Sequence, residues 1–358
     1  MKNVPENTKK IYSRLADNLS KKIFDSRLEY SFTGDTYKLI NDMFECGFKN
    51  YYTEETKYVY NPQEKFVVYG AGGAGHNIAY FIGNTRIKAF CDSDEKKWNT
   101  TFMGRRVISP AELRQSHIKD SIVIAINDGD TVSEVTDSLV RMGFDTGQLS
   151  YYGLLWDPFH YFQRLMYFDK SVIPYDSGIE EVFVDAGCMD GETSLGFIKW
   201  CNGNYKNIIA FEPDPKLYPN CTEKLKHVRN FTIHPFGLWH EDTTLRFDSS
   251  TVMGNSHIVN DSNQQDNVLE IKVLKLDDIL NGEKVTFIKM DIEGAELNAL
   301  RGAEQTIAKH RPKLAISAYH KPEDIYAIPS YILSLNSDYK FYLRHYNLGF
   351  PDTVLYAI

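Results

Sequence analysis

The chain has 358 residues, a formal net charge of −8, 42% hydrophobic and 25% charged residues. That length accommodates two domains of ordinary size, and the acidic balance argues against a nucleic-acid partner, which usually meets a basic excess. No stretch reaches the roughly 20 apolar residues of a membrane span. The start, MKNVPENTKKIYSRLADNLSKKIF, lacks the apolar core of a signal peptide, and five scattered cysteines form no CxxC pair, so reduced thiols and a cytoplasmic location are expected.

In chain order, residues 1–60 read as a helical N-terminal segment. Ile11, Leu15, Leu19 and Ile23 recur at helical spacing, as do Tyr37, Ile40 and Phe44. The segment carries no evident chemistry, and its apolar stripe predicts packing on a domain or on a second copy in a homodimer. Residues 61–150 alternate: KFVVYG, RIKAFCDSD and SIVIAIND as strands, AGGAGHNIAYFIG and TVSEVTDSLVRMGF as turn and helix, and RRVISPAEL as a loop and helix start. Such alternation predicts a parallel sheet with crossover helices, here a small Rossmann-like nucleotide-binding domain. Residues 151–180 read as a helical connector ending near Pro174.

A second alternating series fills 181–358. EEVFVDAG, NIIAFEPD, NFTIHPFGLW, VTFIKMD and PKLAISAYH are its strands, TTLRFDSS and VLEIKVLKLDDI an inserted hairpin, and ELNALRGAEQTIAKH and EDIYAIPSYILSL helices. KFYLRHYN and TVLYAI close the chain as a hairpin. The fold class expected is α/β, with two Rossmann-like parallel-sheet domains behind a helical N-terminal segment.

The turn FVDAGCMDGETS places Asp185 at the end of a strand, then Gly187 and Gly191 before a helix. Glycines there let the backbone approach a ligand. Glu212, 21 positions after Gly191 at the end of the next strand, suits both hydroxyls of a ribose. Asp185 would face a positive amino group, whereas a pyrophosphate at this turn would be repelled by Asp185 and Asp190. Ribose joined to a zwitterionic amino acid describes S-adenosylmethionine.

FVDAGCMDGETS, AFEPDP, PFGLW and above all VTFIKMDIEGAELNALRGA resemble the FkbM family of S-adenosylmethionine-dependent methyltransferases, over roughly 181–358. KLAISAYHKPEDIYAIPSYI, YLRHY and TVLYAI add to the likeness. The resemblance implies a class I methyltransferase fold with a terminal antiparallel hairpin, and O-methylation of a sugar or polyketide hydroxyl, as in surface-glycan or secondary-metabolite biosynthesis. The family's first motif usually reads DVGAN, any residue, Gly; here Met189 stands in place of the Asn and cannot supply its amide hydrogen bonds.

An acceptor would meet the ends of strands four and five, where Asp291, Glu293 and His320 converge. Asp291 and His320 are the candidate catalytic residues, either one as a general base. A divalent cation held by Asp291, Glu293 and His320 is an alternative, and so is a structural role in which Glu293 starts a helix and His320 ties a loop. On YLRHY, Arg344 and His345 fall on opposite faces. The polar GNSHI stretch, 254–258, could hold substrate or be an ordinary insertion loop.

Gly70, Gly72 and Gly75 follow a strand and open a helix, with Asp92 22 positions after Gly70, the form of a phosphate- and ribose-binding turn. FVVYGAGGAGHNIAYFI and FCDSDEKKWNTTFMGRRVISPAEL resemble the N-terminal domains of bacterial sugar acetyltransferases. That likeness implies a domain that presents or senses a nucleotide-linked sugar. Two rivals remain at this level: an NAD-dependent or nucleotide-sugar oxidoreductase acting through Gly70–Asp92, and a non-catalytic nucleotide-sensing scaffold.

Overall fold

A computed structural model of the chain describes residues 7–46, 64–82, 84–126, 129–151, 165–248, 257–258, 268–347 and 350–358. Two compact units emerge: Thr33–Gln163 with Asn347–Phe350, and Met1–Phe32 with Arg164–Tyr346 and Pro351–Ile358. The N-terminal segment is thus shared out. Helices α1 (Thr8–Arg14) and α2 (Asn18–Thr33) go, up to residue 32, with the second unit, and α3 (Thr36–Cys46) with the first.

The first unit runs β1 (Phe66–Tyr69), α4 (Gly73–Ile82), β2 (Ile87–Cys91), β3 (Thr101–Phe102), β4 (Arg105–Ile108), α5 (Pro110–His117), β5 (Ser121–Ile124), α6 (Gly129–Arg141) and β6 (Leu149–Tyr151). The sheet order is β3-β4-β2-β1-β5-β6, parallel except for β3–β4. FVVY is buried at every position, as a parallel strand covered on both faces requires. RRVI, read as loop, is a strand beside β2; two apolar residues after two arginines are too few to show a period. Ser109 caps α5 through the Glu112 amide, with Pro110 in the first turn.

Strand order reverses between β1 and β5, and Gly70 sits at that point with φ +119°. A Cβ on Gly70 would lie 2.5 Å from the Ala125 carbonyl oxygen, whereas one on Gly72 meets nothing within 4 Å among the described residues. We expect Gly70→Ala to cost at least ~2 kcal/mol through clash and positive φ. Gly72→Ala should stay within ~0.5 kcal/mol. Urea titration of the full chain, read at Trp98, checks both; equal losses would refute this account of Gly70.

The second unit runs β7 (Glu181–Ala186), α7 (Glu192–Trp200), β8 (Tyr205–Phe211), α8 (Tyr218–Leu225), β9 (Phe231–His234), β10 (Gly237–Leu238), β11 (Thr243–Asp248), β12 (His257–Ile258), β13 (Val268–Leu274), α9 (Leu276–Leu280) and β14 (Phe287–Met290). It ends with α10 (Glu296–Arg301), α11 (Glu304–His310), β15 (Lys313–Ser317), α12 (Asp324–Leu335), β16 (Phe341–His345) and β17 (Thr353–Ala357). The main sheet is β16-β17-β15-β14-β7-β8-β9, with β17 antiparallel between β15 and β16. A small second sheet, β10-β13-β11-β12, carries the inserted hairpin.

Two elements are broken where the sequence reads as continuous. NFTIHPFGLW divides at Pro235, which cannot donate to a ladder, into β9 of the main sheet and β10 of the small one. ELNALRGAEQTIAKH divides at Gly302, whose Cβ would lie 1.9 Å from the Trp239 carbonyl oxygen. The core under β7 is aromatic: Phe183 stacks on Phe197 at 4.2 Å, and Phe168 meets Phe287 edge-on at 5.9 Å. Phe168 comes from the expected connector; its described part, from Leu165, is mostly turns rather than helix.

Helices α1 and α2 cover the edge strand β16. The Ala16 amide donates to the Phe341 carbonyl at 2.8 Å, the Leu343 amide to Ser20 Oγ at 3.0 Å, and Arg344 pairs with Asp17 at 2.7 Å. An edge strand is thereby closed to other chains, and the stripe residues Ile11 and Ile23 are buried within the unit. His345, on the opposite face from Arg344, is buried with Nδ1 2.8 Å from Thr353 Oγ1.

Candidate active site

In the second unit strand order reverses between β7 and β14. Gly187 ends β7 with φ +75°, and a Cβ there would lie 2.0 Å from the Asp291 carbonyl oxygen. Gly191, φ +86°, begins α7, and its Cβ would lie 2.8 Å from Leu225 Cδ1. Both glycines are therefore required by the chain's own packing, where the sequence suggests clearance for a ligand. The turn of the first unit is built alike: a Cβ on Gly75 would lie 1.9 Å from the Gly70 carbonyl oxygen.

Asp185 is fully buried. Its Oδ2 accepts from Ser194 Oγ at 2.7 Å, and Oδ1 lies 3.2 Å from Lys289 Nζ. Lys289 is directly across the ladder on β14 and donates to the Ala186 and Gly187 carbonyls at 3.2 and 2.6 Å. Burial alone would lower the lysine's pKa, but the carboxylates of Asp185 and Asp291 outweigh it and raise it. The charge of Asp185 thus already has an internal partner, in place of the expected amino group, and the pair ties the glycine turn to the neighbouring strand.

Glu212 follows β8 and is 5% exposed. Its Oε2 accepts from the Met189 amide and Oε1 from the Asp214 amide, both at 2.9 Å. Desolvation outweighs these two bonds and lifts its pKa to about 7. Asp92 holds the corresponding place in the first unit but is better satisfied. It accepts from the Ala71 amide at 2.8 Å, the Asp94 amide at 2.9 Å and Lys97 Nζ at 2.9 Å. Burial pushes the Asp92 pKa up, yet those donors bring it below the usual value.

Met189 lies in the left-handed region at φ +49° with its side chain 40% exposed. Asn tolerates that conformation better than Met, so the departure at this position concerns the backbone as well as the lost amide.

On the far side of β14, Asp291, Glu293 and His320 are brought together, as their places at strand ends suggest. His320 Nε2 lies 3.5 Å from Asp291 Oδ1 and 3.4 Å from Glu293 Oε2, and Nδ1 lies 3.0 Å from Glu296 Oε1. Burial would lower the imidazole's pKa; the Glu296, Asp291 and Glu293 carboxylates raise it to about 9. Desolvation pushes Glu293 and Asp324 each to about 7. Asp291 also accepts from Tyr167 Oη at 2.7 Å and from Tyr319 Oη at 3.4 Å. Tyr167 is itself left-handed at φ +68°, its amide held by Tyr356 Oη at 2.9 Å.

Lys289, Tyr167, Glu296 and Asp324 escape the sequence reading, as does Arg27, a buried cation on α2 within the field of Asp324 and Tyr319. Lys289 alone left a signal, a lysine inside the otherwise apolar strand FIKM. GNSHI lies outside the described residues except for the backbone of His257 and Ile258 in β12.

The model of the Methyltransferase FkbM domain matches residues 185–341. Among solved structures the chain is similar to methyltransferase FkbM from Methylobacillus flagellatus KT, at 21% identity and TM-score 0.50, over 92% of this chain and 100% of that one. It is also similar to an rRNA methylase from Streptococcus thermophilus, at 16% identity and TM-score 0.34, over 55% and 93% of the two chains. Fibrillarin from Aeropyrum pernix, in complex with natively bound S-adenosyl-L-methionine, matches at 9% identity and TM-score 0.31, over 50% and 66%. Curated proteins give no match. The family match runs from the end of β7 to the start of β16 and takes in Asp185, Glu212, Asp291 and His320, so the likeness to the FkbM methyltransferase domain falls on residues 185–341.

Proposed function

We propose that the second unit transfers a methyl group from S-adenosylmethionine to a hydroxyl, of a sugar or a similar acceptor. Glu212 carries this reading. It is a buried carboxylate at the end of the second strand with one amide on each oxygen and a pKa raised to about 7, an anion short of donors. Each oxygen keeps a second lone pair for a ribose hydroxyl. The donor set therefore fits the cofactor, with Glu212 on the ribose and the Gly187–Gly191 turn beside it. When bound, the cofactor supplies an electrophilic methyl on sulfonium.

The remaining work falls to the chain. The Asp185–Lys289 pair holds the turn against β14. Asp291 takes the proton of the acceptor hydroxyl, and His320, kept cationic by three carboxylates, steadies the anionic Asp291. Asp92, with three of its four acceptor positions taken by two amides and Lys97, offers less to a ribose, which weighs against the oxidoreductase reading of the first unit.

The test is calorimetric titration of the full chain with S-adenosylhomocysteine. Glu212→Ala should weaken binding at least tenfold, since hydrogen bonds to a charged acceptor contribute ~1.5–3 kcal/mol each. Affinity should also fall as pH drops through 7, where Glu212 protonates, and Glu212→Gln should abolish that slope. On stability the sign is the reverse: a raised carboxyl pKa makes the fold lose stability as pH rises from the ordinary glutamate value of 4.5 to about 7. Equal affinity in Glu212→Ala would place the cofactor elsewhere.

A further inference from the structure

We propose that Asp291, Glu296 and His320 form a binding site for one divalent transition-metal cation of the Mn²⁺ type. One ligand atom from each lies within 4.8 Å of the others. Atoms bound to one ion at about 2.1 Å stand at most ~4.2 Å apart. Three atoms spread about one ion stand ~3.6 Å apart, so shifts of up to about 0.7 Å per atom would close the three onto a single ion.

A second observation concerns unused polar atoms. Glu296 is fully buried, yet among the described residues its Oε2 makes no hydrogen bond, and neither ring nitrogen of the nine-tenths-buried His320 makes one. Nδ1 stands 3.0 Å from Glu296 Oε1 in a geometry that does not form a hydrogen bond. Buried polar atoms in native proteins are nearly always paired, and an ion is one explanation for a cluster that is not. Glu296 is held rigid by its place in the first turn of α10 and by the Ile292 amide, which donates to Oε1 at 2.8 Å. Asp291 is oriented by Tyr167 at 2.7 Å. An imidazole among the donors favours a transition metal over Mg²⁺ or Ca²⁺.

Glu293, 3.4 Å from His320 Nε2 and about a quarter exposed, borders the open side of the cluster. The ion would displace the His320 ring proton and take the imidazolium's place beside Asp291, and a hydroxyl reaching it there would be acidified. That use rests on the methyl-transfer reading above; binding of the ion does not.

The test uses chelator-treated full-length protein titrated with MnCl₂. Loss of the free-ion EPR signal should saturate at one ion per chain, and pulsed EPR of the bound ion should show ¹⁴N coupling from His320. Glu296→Gln, nearly isosteric, should weaken binding at least ~tenfold while S-adenosylhomocysteine titration of the same variant matches wild type. An undiminished free-ion signal, a bound ion without ¹⁴N coupling, or unchanged binding in a folded Glu296→Gln would each overturn the site. The ¹⁴N measurement on wild-type protein decides the matter even if the variant does not fold. Cofactor binding is read separately, so failure of one reading leaves the other standing.

Discussion

Asp291→Asn should cut methyl transfer about 10³-fold and leave S-adenosylhomocysteine affinity unchanged. A positioned general base contributes 10²–10⁴-fold, and the substitution removes the basic oxygen while keeping the shape. The surroundings concentrate this role on Asp291. His320, its pKa raised to about 9 by the surrounding carboxylates, is mostly protonated near neutral pH and so poorly placed to accept a proton. Tyr167 and Tyr319 donate to Asp291 and fix its rotamer. Tyr167→Phe should therefore lower transfer less than tenfold, since orientation is weakened but the base remains. The assay measures labelled methyl transfer to a panel of monosaccharide acceptors in chelator-treated buffer, where any loss belongs to the proton and not to a cation. Near wild-type transfer by Asp291→Asn would return the role of base to another group.

Lys289→Met should destabilise the second unit by ~3–5 kcal/mol, because it strands the buried Asp185 carboxylate without its counter-charge. It also removes the donor to the Ala186 and Gly187 carbonyls, so cofactor binding should weaken with stability. Replacing both partners, Asp185→Asn with Lys289→Met, should recover much of the loss, since a buried pair removed together leaves no orphan charge. Urea unfolding of the full chain, followed through Trp200, gives the single and double values. Strict additivity in that cycle would show that the two charges do not act as a pair.

The two glycine turns show how far a local pattern reaches. Strand, glycines, helix, then an acid about 21 positions on is legible in both units, because it needs only residue types at fixed spacing. The turns differ in what faces the acid. Lys97 sits beside Asp92, while Glu212 has two amides and, among the described residues, no contacting cation. The succession of the main strands and helices along the chain was equally legible from alternating apolar runs. The breaks at Pro235 and Gly302 were not, because each depends on a neighbouring segment, the small sheet and the Trp239 carbonyl.

The sequence by itself determined the α/β class, the two strand–helix series, the closing hairpin and the strand-end acids Asp185, Glu212 and Asp291. All of these follow from periodicity and from turns a few residues long. Only the tertiary structure decided that Asp185 is spent on Lys289, that α1 and α2 close the β16 edge, and that Tyr167, Glu296 and Asp324 gather around Asp291 and His320. Those partners lie up to 327 positions apart, as Asp17 and Arg344 do. Such pairings are set by sheet order and side-chain packing, which no local pattern of residues records.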